Sequence, residues 1–292
     1  MRIHPAAGFL APALAALLCF FLLPVVAGFA LSLTDFDLYA LADLRNLRFV
    51  GLENYAQLLR DPGFWSAFRN TLGFVAVGGP LSVGASLAAA LLLCAKSARA
   101  QAFFRTVYFL PVVTTLVAVA VVWRFLYHPR LGLLNHALGT LGVAPIDWLG
   151  DPALAMPALI ALAVWKNFGF NMVIFVAGLQ GIPERLYEAA RLDGATRWQQ
   201  LRFVTLPMLL PTTGFVALMT LIGHFQLFAE PYVMTQGGPG DSTRSLVLLL
   251  YEQGFRWWNL GEAAAIAVVL FAIVLGATLL SRLRPGRRQV HA

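Results

Sequence analysis

The stretch NTLGFVAVGGPLSVGASLAAALLLCA, residues 70–95, contains no charged side chain. An α-helix rises about 1.5 Å per residue, so about 20 apolar residues cross a hydrocarbon layer about 30 Å thick. The stretch therefore predicts a transmembrane helix. Five more runs of suitable length predict five further helices, and only the fourth run in chain order contains a charge, Lys166. These five runs are residues 8–33, 106–123, 152–183, 203–229 and 263–281.

The composition favours a membrane protein and excludes a soluble domain. Of the 292 residues, 59% are hydrophobic and 12% are charged, and the mean hydropathy is +0.74. Soluble domains carry about 25% charged residues, and disordered chains need low hydrophobicity. The two cysteines, Cys19 and Cys94, lie in apolar runs, so neither a disulfide scaffold nor a metal site is expected.

Two segments allow other interpretations. The first run follows Arg2 and has small residues at Ala27 and Gly28, as a cleaved signal peptide would. It continues to Leu33, however, whereas the apolar core of a signal peptide spans about 7–15 residues, so an uncleaved helix is expected. Residues 131–146 are short and contain three glycines, which predicts a surface or interfacial segment.

The loop charges predict the orientation. With the N-terminus in the cytoplasm, the inner segments hold more than half of the 21 Lys and Arg residues and only three acids, as the positive-inside rule requires. The predicted fold class is an all-α membrane protein with six transmembrane helices and both termini cytoplasmic. Because the basic residues are spread over several loops as topology signals, membrane lipid is an expected partner and nucleic acid is not.

Three parts of the chain are expected. Residues 1–69 hold the first transmembrane helix and a long outer loop. Residues 70–283 form a five-helix core that includes the 182–207 loop, and residues 284–292 form a basic cytoplasmic tail.

The 182–207 loop has the signals of a structured unit. Pro183 suits the first turn of a helix, and Gly194 can take the left-handed conformation that ends one. Thr196 and Gln199 have the spacing of a capping box that opens a second helix. Such a helix could dock into a groove on a partner or merely cover the helix bundle, and the spacing alone leaves both interpretations open.

Motifs in this loop resemble a known family. Glu188-Ala189-Ala190, then Gly194, then Val204-Thr205-Leu206-Pro207 resembles the EAA loop of the membrane subunits of binding-protein-dependent ABC importers, with Val204 where Ile is usual. Further blocks resemble the sugar branch, the maltose-type and glycerol-phosphate-type permeases, and the similarity covers about residues 50–262. Ala229 departs from the pattern, since relatives commonly carry Asp there, so a role of that acid does not transfer. The further blocks are residues 51–55, 70–71, 103–111, 165–170 and 234–239.

The resemblance implies a transport subunit of the bacterial plasma (inner) membrane with several partners. These are a cytoplasmic ABC ATPase dimer, a second permease forming a heterodimer, and an extracytoplasmic solute-binding protein that docks near Gly237, Gly238 and Pro239. A phosphate-binding loop needs Gly-Lys, but Lys96 and Lys166 follow Ala95 and Trp165. No cofactor, metal or enzymatic activity is therefore expected in this chain, and the partner ATPase would bind ATP and Mg. The ATPase-coupling residues implied are Glu188, Ala189, Ala190, Asp193, Gly194, Leu206 and Pro207.

Polar side chains within apolar runs suggest a substrate pathway, because they are costly inside a membrane. Amides and charged groups bind sugar hydroxyls, and each of these residues could instead serve helix packing or bond to a backbone carbonyl. The candidates are Lys166, Asn167, Asn171, His224 and Gln226.

Two other classes of protein compete with the importer. A secondary transporter usually carries coupling carboxylates in its helices, and the uncharged runs contain none. A membrane enzyme would need a cluster of His, Asp or Glu at one membrane face, which the sequence does not suggest.

Overall fold

The computed structural model describes residues 5–94 and 98–283, and every regular element in those ranges is helical. Besides a 3-10 helix at Leu44–Asn46, fourteen α-helices are distinguished there when π-helical turns are merged with the α-helices they continue. In chain order they are α1 (5–31), α2 (Leu38–Ala42), α3 (Glu53–Arg60), α4 (Pro62–Cys94), α5 (Ala98–Val113), α6 (Leu116–Leu126), α7 (Leu133–Gly139), α8 (Pro152–Gln180), α9 (Glu184–Leu192), α10 (197–208), α11 (Leu210–Phe225), α12 (Ala229–Met234), α13 (246–256) and α14 (Leu260–Leu283).

Five helical segments of the described chain are long and apolar enough to cross a bilayer. A sixth is obtained if α5 and α6, which meet at an angle of 98°, are counted as one span. The predicted all-helical membrane fold is therefore confirmed, and the count of six holds on that condition. The five segments are Phe9–Leu31, Pro62–Cys94, Pro152–Gln180, Leu210–Met234 and Leu260–Leu280.

The third predicted helix, residues 106–123, is not continuous, and that prediction is wrong in its geometry. The helix stops at Val113 and restarts at Leu116, with Thr115 extended at φ −69° and ψ 138°. Pro111 lies in the last turn before the break, and its ring removes one helical hydrogen bond and crowds the preceding turn.

Lys166 of α8 supplies the hydrogen bonds that the break leaves open. Its Nζ donates to the backbone carbonyls of Pro111, of Val112 (3.3 Å) and of Thr114 (2.7 Å). The Thr114 hydroxyl also donates to the Pro111 carbonyl, at 2.7 Å. The ammonium group thus takes the place of the amides that an unbroken helix would offer.

Other boundaries differ from the predictions by smaller amounts. The fifth span begins at Leu210 and not at 203, because residues 201–205 continue α10 as a π-helical turn. Residues 131–146, predicted as a surface or interfacial segment, contain the short helix α7. Asn135 fixes its position, since its amide bonds to the carbonyls of Pro129 and Ile146 and accepts from Trp148 Nε1 at 2.9 Å.

The described residues divide into two compact units, residues 5–65 with 246–273 and residues 66–94 and 98–245 with 274–283. In the second unit, α8 is central, and its Leu159, Leu162, Met172 and Phe175 are fully buried. The predicted division of the chain into three parts, with boundaries at 69/70 and 283/284, stays a prediction. The predicted tail, 284–292, and Lys96 lie outside the described residues.

Helix α5 packs on α8 at backbone contact distance around Gly169. A Cβ atom added to Gly169 would lie 1.9 Å from the carbonyl oxygen of Tyr108. The absent side chain therefore lets the two backbones meet one turn beyond Lys166.

Removing the ammonium group of Lys166 is expected to destabilise the protein. In Lys166→Met, the carbonyls of Val112 and Thr114 lose this donor and the Pro111 carbonyl keeps the Thr114 hydroxyl, and hydrogen bonds to charged groups contribute about 1.5–3 kcal/mol. We expect the apparent unfolding temperature of the purified protein to fall by about 5 °C, with Lys166→Arg falling less because it keeps a cationic donor. A Lys166→Met protein that unfolds at the wild-type temperature would contradict this role.

The contact at Gly169 gives a second expectation. Gly169→Ala is expected to lower stability by about 1–3 kcal/mol through overpacking, measured by thermal unfolding in detergent. Gly79→Ala is the matched control, since a Cβ at Gly79 has nothing within 4 Å. Equal behaviour of the two variants would show that the approach of α5 to α8 is not tight.

Candidate functional site

A cavity of about 450 Å³ lies in the second unit, between α4, α8, α11 and α12. It brings together four of the five residues predicted for a substrate pathway: Asn167, Asn171, His224 and Gln226. Lys166 does not line it, because its ammonium group is bound at the break between α5 and α6. The remaining lining residues are Phe74, Leu116, Ala163, Phe170, Met219, Thr220, Gly223, Leu227, Phe228, Ala229 and Glu230.

Asn171 and Thr220 connect two walls of the cavity. The Asn171 Nδ2 of α8 donates to the Thr220 Oγ1 of α11 at 3.0 Å, and both residues are buried. Asn167, one helical turn earlier, is exposed to the cavity and donates to the Ala163 carbonyl of its own helix at 3.0 Å. The amide of Asn167 therefore remains the more accessible of the two.

The imidazole ring of His224 is fixed by contacts at both ring nitrogens and by packing on an aromatic ring. Its Nδ1 lies 2.9 Å from the Thr220 carbonyl and its Nε2 lies 3.5 Å from Ser82 Oγ, while its ring packs on Phe74 with centroids 5.0 Å apart. A Cβ at Gly78 would come within 3.2 Å of the imidazole. The geometry agrees with a hydrogen-bonded interhelical histidine that also forms part of the cavity wall.

The cavity exists because the fifth span is interrupted. Helix α11 ends at Phe225, and α12 begins only at Ala229. Gln226 caps the first segment with φ −90° and ψ 24° and is exposed to the cavity. Backbone and side chains of residues 226–230 therefore form one wall.

Glu230 is the residue of this site that the sequence analysis missed. It is only 7% exposed, lines the cavity and lies within the span Leu210–Met234. Because it ends the charge-free run at Ala229, it was assigned to an outer loop. The apolar residues that follow it, from Pro231 to Met234, were a signal that the helix continues.

The 182–207 loop has the predicted helix, glycine turn and second helix. Pro183 precedes α9 as its cap and does not lie inside the first turn. Gly194 has φ +77°, the left-handed conformation. Both bonds of the capping box form, since the Thr196 N–H donates to Gln199 Oε1 (2.7 Å) and the Gln199 N–H donates to Thr196 Oγ1 (3.3 Å).

This loop presents an uncovered surface. Glu188, Ala189, Asp193 and Gly194 are exposed, as are Leu206 and Pro207 at its end, while Ala190 is half-buried. Leu192 is 90% exposed and Trp198 is 66% exposed. Large apolar side chains with so little contact inside the chain are typical of a surface that binds a partner.

The segment from Thr235 to Arg244 is a tight turn. Gln236, Gly237, Gly240 and Asp241 have positive φ, and the Gly238–Pro239 peptide is cis. Thr243 Oγ1 donates to the Gly238 carbonyl at 2.8 Å, and its N–H donates to the Gly237 carbonyl at 3.1 Å. Gly237 is buried, Gly238 and Pro239 are half-buried, and Gln236, Gly240 and Asp241 are exposed.

Comparison with protein families gives a match over most of the chain. Residues 82–288 match the family described as binding-protein-dependent transport system inner membrane component. The chain is 37% identical over 275 residues to the probable ABC transporter permease protein YurN of Bacillus subtilis (strain 168), covering 93% of this chain and 92% of that protein. It is 36% identical over 280 residues to the lactose transport system permease protein LacF of Rhizobium radiobacter, covering 94% and 91%.

A solved structure shares the fold. It is a chain in the crystal structure of a bacterial alginate ABC transporter in complex with an alginate pentasaccharide-bound periplasmic protein. The TM-score is 0.81 and the sequences are 22% identical, with 94% of this chain and 91% of that chain covered.

Proposed function

The chain belongs to the family of binding-protein-dependent transport system inner membrane components, and on this basis we propose that it is a permease subunit of an ABC importer. It forms the translocation pathway for a sugar, oligosaccharide, polyol or glycerol-phosphate-like solute. Its partners are a cytoplasmic ABC ATPase dimer, a second permease and an extracytoplasmic solute-binding protein. The complex lies in the bacterial plasma membrane.

The cavity is the main structural support for a translocation pathway for hydroxyl-rich solutes. Hydroxyl-rich solutes exchange hydrogen bonds with amides and pack their apolar faces on aromatic rings. Asn167 and Gln226 are exposed amides on different helices, and Phe170 is 45% exposed beside them. A volume of about 450 Å³ accommodates a mono- or disaccharide.

The 182–207 loop supports coupling to a separate ATPase. Helix α9 offers Leu192 as an apolar anchor and Glu188 as an anionic group, and Ala189 lets a partner approach the backbone. A short exposed helix with such a face suits insertion into a groove. Helix α10 leads directly into α11, which reaches the cavity.

The Gly237–Pro239 turn supports docking of the binding protein. It follows the Met234 end of the fifth span, whereas the 182–207 loop precedes the Leu210 end. Its hydrogen bonds to Thr243 and the bonds from Asn70 Nδ2 to the Asp241 and Arg244 carbonyls (2.6 and 3.0 Å) hold it in one shape. A preorganised surface loses little conformational entropy when a partner binds.

The cavity is tested by removing its two exposed amides. The solute is first identified by thermal shift of the cognate binding protein against sugars and polyols. Asn167→Ala combined with Gln226→Ala is then expected to lower ATP-driven uptake into proteoliposomes by at least about tenfold, since each lost hydrogen bond contributes about 1 kcal/mol.

Thr106→Ala serves as the control, because the Thr106 hydroxyl donates to the Ala102 carbonyl of its own helix, at 3.0 Å, and Thr106 does not line the cavity. Unchanged uptake in the double variant would remove the cavity from the pathway. Uptake driven by an ion gradient without ATP would instead favour a secondary transporter.

Coupling is tested at Gly194. Proline cannot adopt φ +77°, so Gly194→Pro is expected to lower stimulation of the ATPase by loaded binding protein about tenfold, within the usual range of coupling free energies. Gly142→Pro is the matched control, since Gly142 also has positive φ, at +81°, and lies far from this loop in sequence. Full stimulation in the Gly194→Pro complex would defeat the coupling assignment.

A further inference from the structure

Glu230 is an acidic residue in a cavity wall that has no lysine or arginine side chain to balance it. Among the fifteen residues that line it, Glu230 is the one acid, and no lysine or arginine occurs. The carboxyl group belongs to the first turn of α12, in the cavity wall. A carboxylate can accept about four hydrogen bonds, so acceptor capacity remains for a bound solute.

Two cations on helices that contribute to the cavity wall, Lys166 of α8 and Arg124 of α6, are bound elsewhere. Lys166 donates its hydrogen bonds to the carbonyls of Val112, Thr114 and Pro111 at the α5–α6 break. Arg124 of α6 donates to the Val233 carbonyl of α12 at 3.5 Å. Neither residue lines the cavity, and His224 uses both ring nitrogens within the helix packing.

We propose that Glu230 makes the cavity selective by charge, so that neutral hydroxyl-rich solutes and cationic amino sugars pass and anionic solutes such as glycerol phosphates and uronates do not. The solute class rests on the proposed function, and the charge preference narrows that class by removing the glycerol-phosphate-like solutes. The charge preference rests on the cavity itself.

Two physical effects act in the same direction. When it is ionised, the Glu230 carboxylate places one negative charge in the cavity wall, and that charge attracts cations and repels anions. An anion that leaves water for a site without a cationic partner loses solvation and gains nothing in return. A neutral sugar avoids both penalties and can donate hydroxyl hydrogen bonds to Glu230.

The charge preference can be measured without knowing the solute. Gly223 lines the cavity, and a Cβ there has nothing within 4 Å, so Gly223→Cys places a thiol in the cavity of the full-length chain. Cys19 and Cys94 are replaced by serine. The chain is purified in nanodiscs with the subunits that accompany it. Methanethiosulfonate reagents bearing trimethylammonium, hydroxyethyl or sulfonate groups are then added, and labelling of this chain is followed by mass spectrometry.

With Glu230 present, the sulfonate reagent is expected to react more slowly than the neutral reagent, and the ammonium reagent faster, after correction for their rates with a free thiol. In Glu230→Gln the sulfonate-to-neutral ratio is expected to rise about tenfold, the effect of one charge at short range in partly hydrated surroundings. Glu230→Asp should keep the wild-type order and Glu230→Lys should reverse it. The control is Glu53→Gln, an exposed carboxylate outside the cavity.

The neutral reagent reports whether the cavity is intact in each variant. A sulfonate-to-neutral ratio that does not change in Glu230→Gln overturns the proposal, as does a shift of both rates by the same factor. A complex with the charge preference that takes up no neutral sugar contradicts the proposed function alone. A complex that takes up sugar but shows no preference contradicts the role of Glu230 alone.

Discussion

The ammonium group of Lys166 and the three carbonyls at the α5–α6 break form the interaction on which the second unit depends. In hydrocarbon, a carbonyl without a donor costs several kcal/mol, so a helix breaks there only where protein supplies the missing bonds. With the break stabilised, α6 turns away and packs against α12. Helix α12 carries Glu230, and the first residue of α6, Leu116, also lines the cavity.

The chemistry of the cavity is concentrated at helix ends. A continuous helix satisfies its own backbone and offers only side chains, whereas the interruption after Phe225 exposes a turn with Gln226 beside the start of α12. Discontinuous helices recur where membrane proteins line polar cavities. One broken span thus contributes both an amide and a carboxyl group to the same wall.

Features set by local sequence were predictable. The left-handed Gly194 and the Thr196–Gln199 capping box depend on neighbouring residues alone, and the charge-free runs identified the long helices. The bend at Thr115 and the burial of Glu230 were not predictable, because they depend on contacts between helices. Lys166 shows most clearly what the sequence alone does not decide. Its position inside an apolar run suggested a place in the substrate pathway, whereas its hydrogen bonds to carbonyls distant in sequence indicate a structural role.

Helix α11 has a mechanical property that follows from its length. It extends over 16 residues, from the end of α10 to the cavity, and is therefore a rigid lever about 24 Å long. A tilt of roughly 10° at its Leu210 end displaces its Phe225 end by about 4 Å, which is comparable to the width of a sugar ring edge. The wall that holds His224 therefore lies at the end of α11 where a tilt produces its largest displacement.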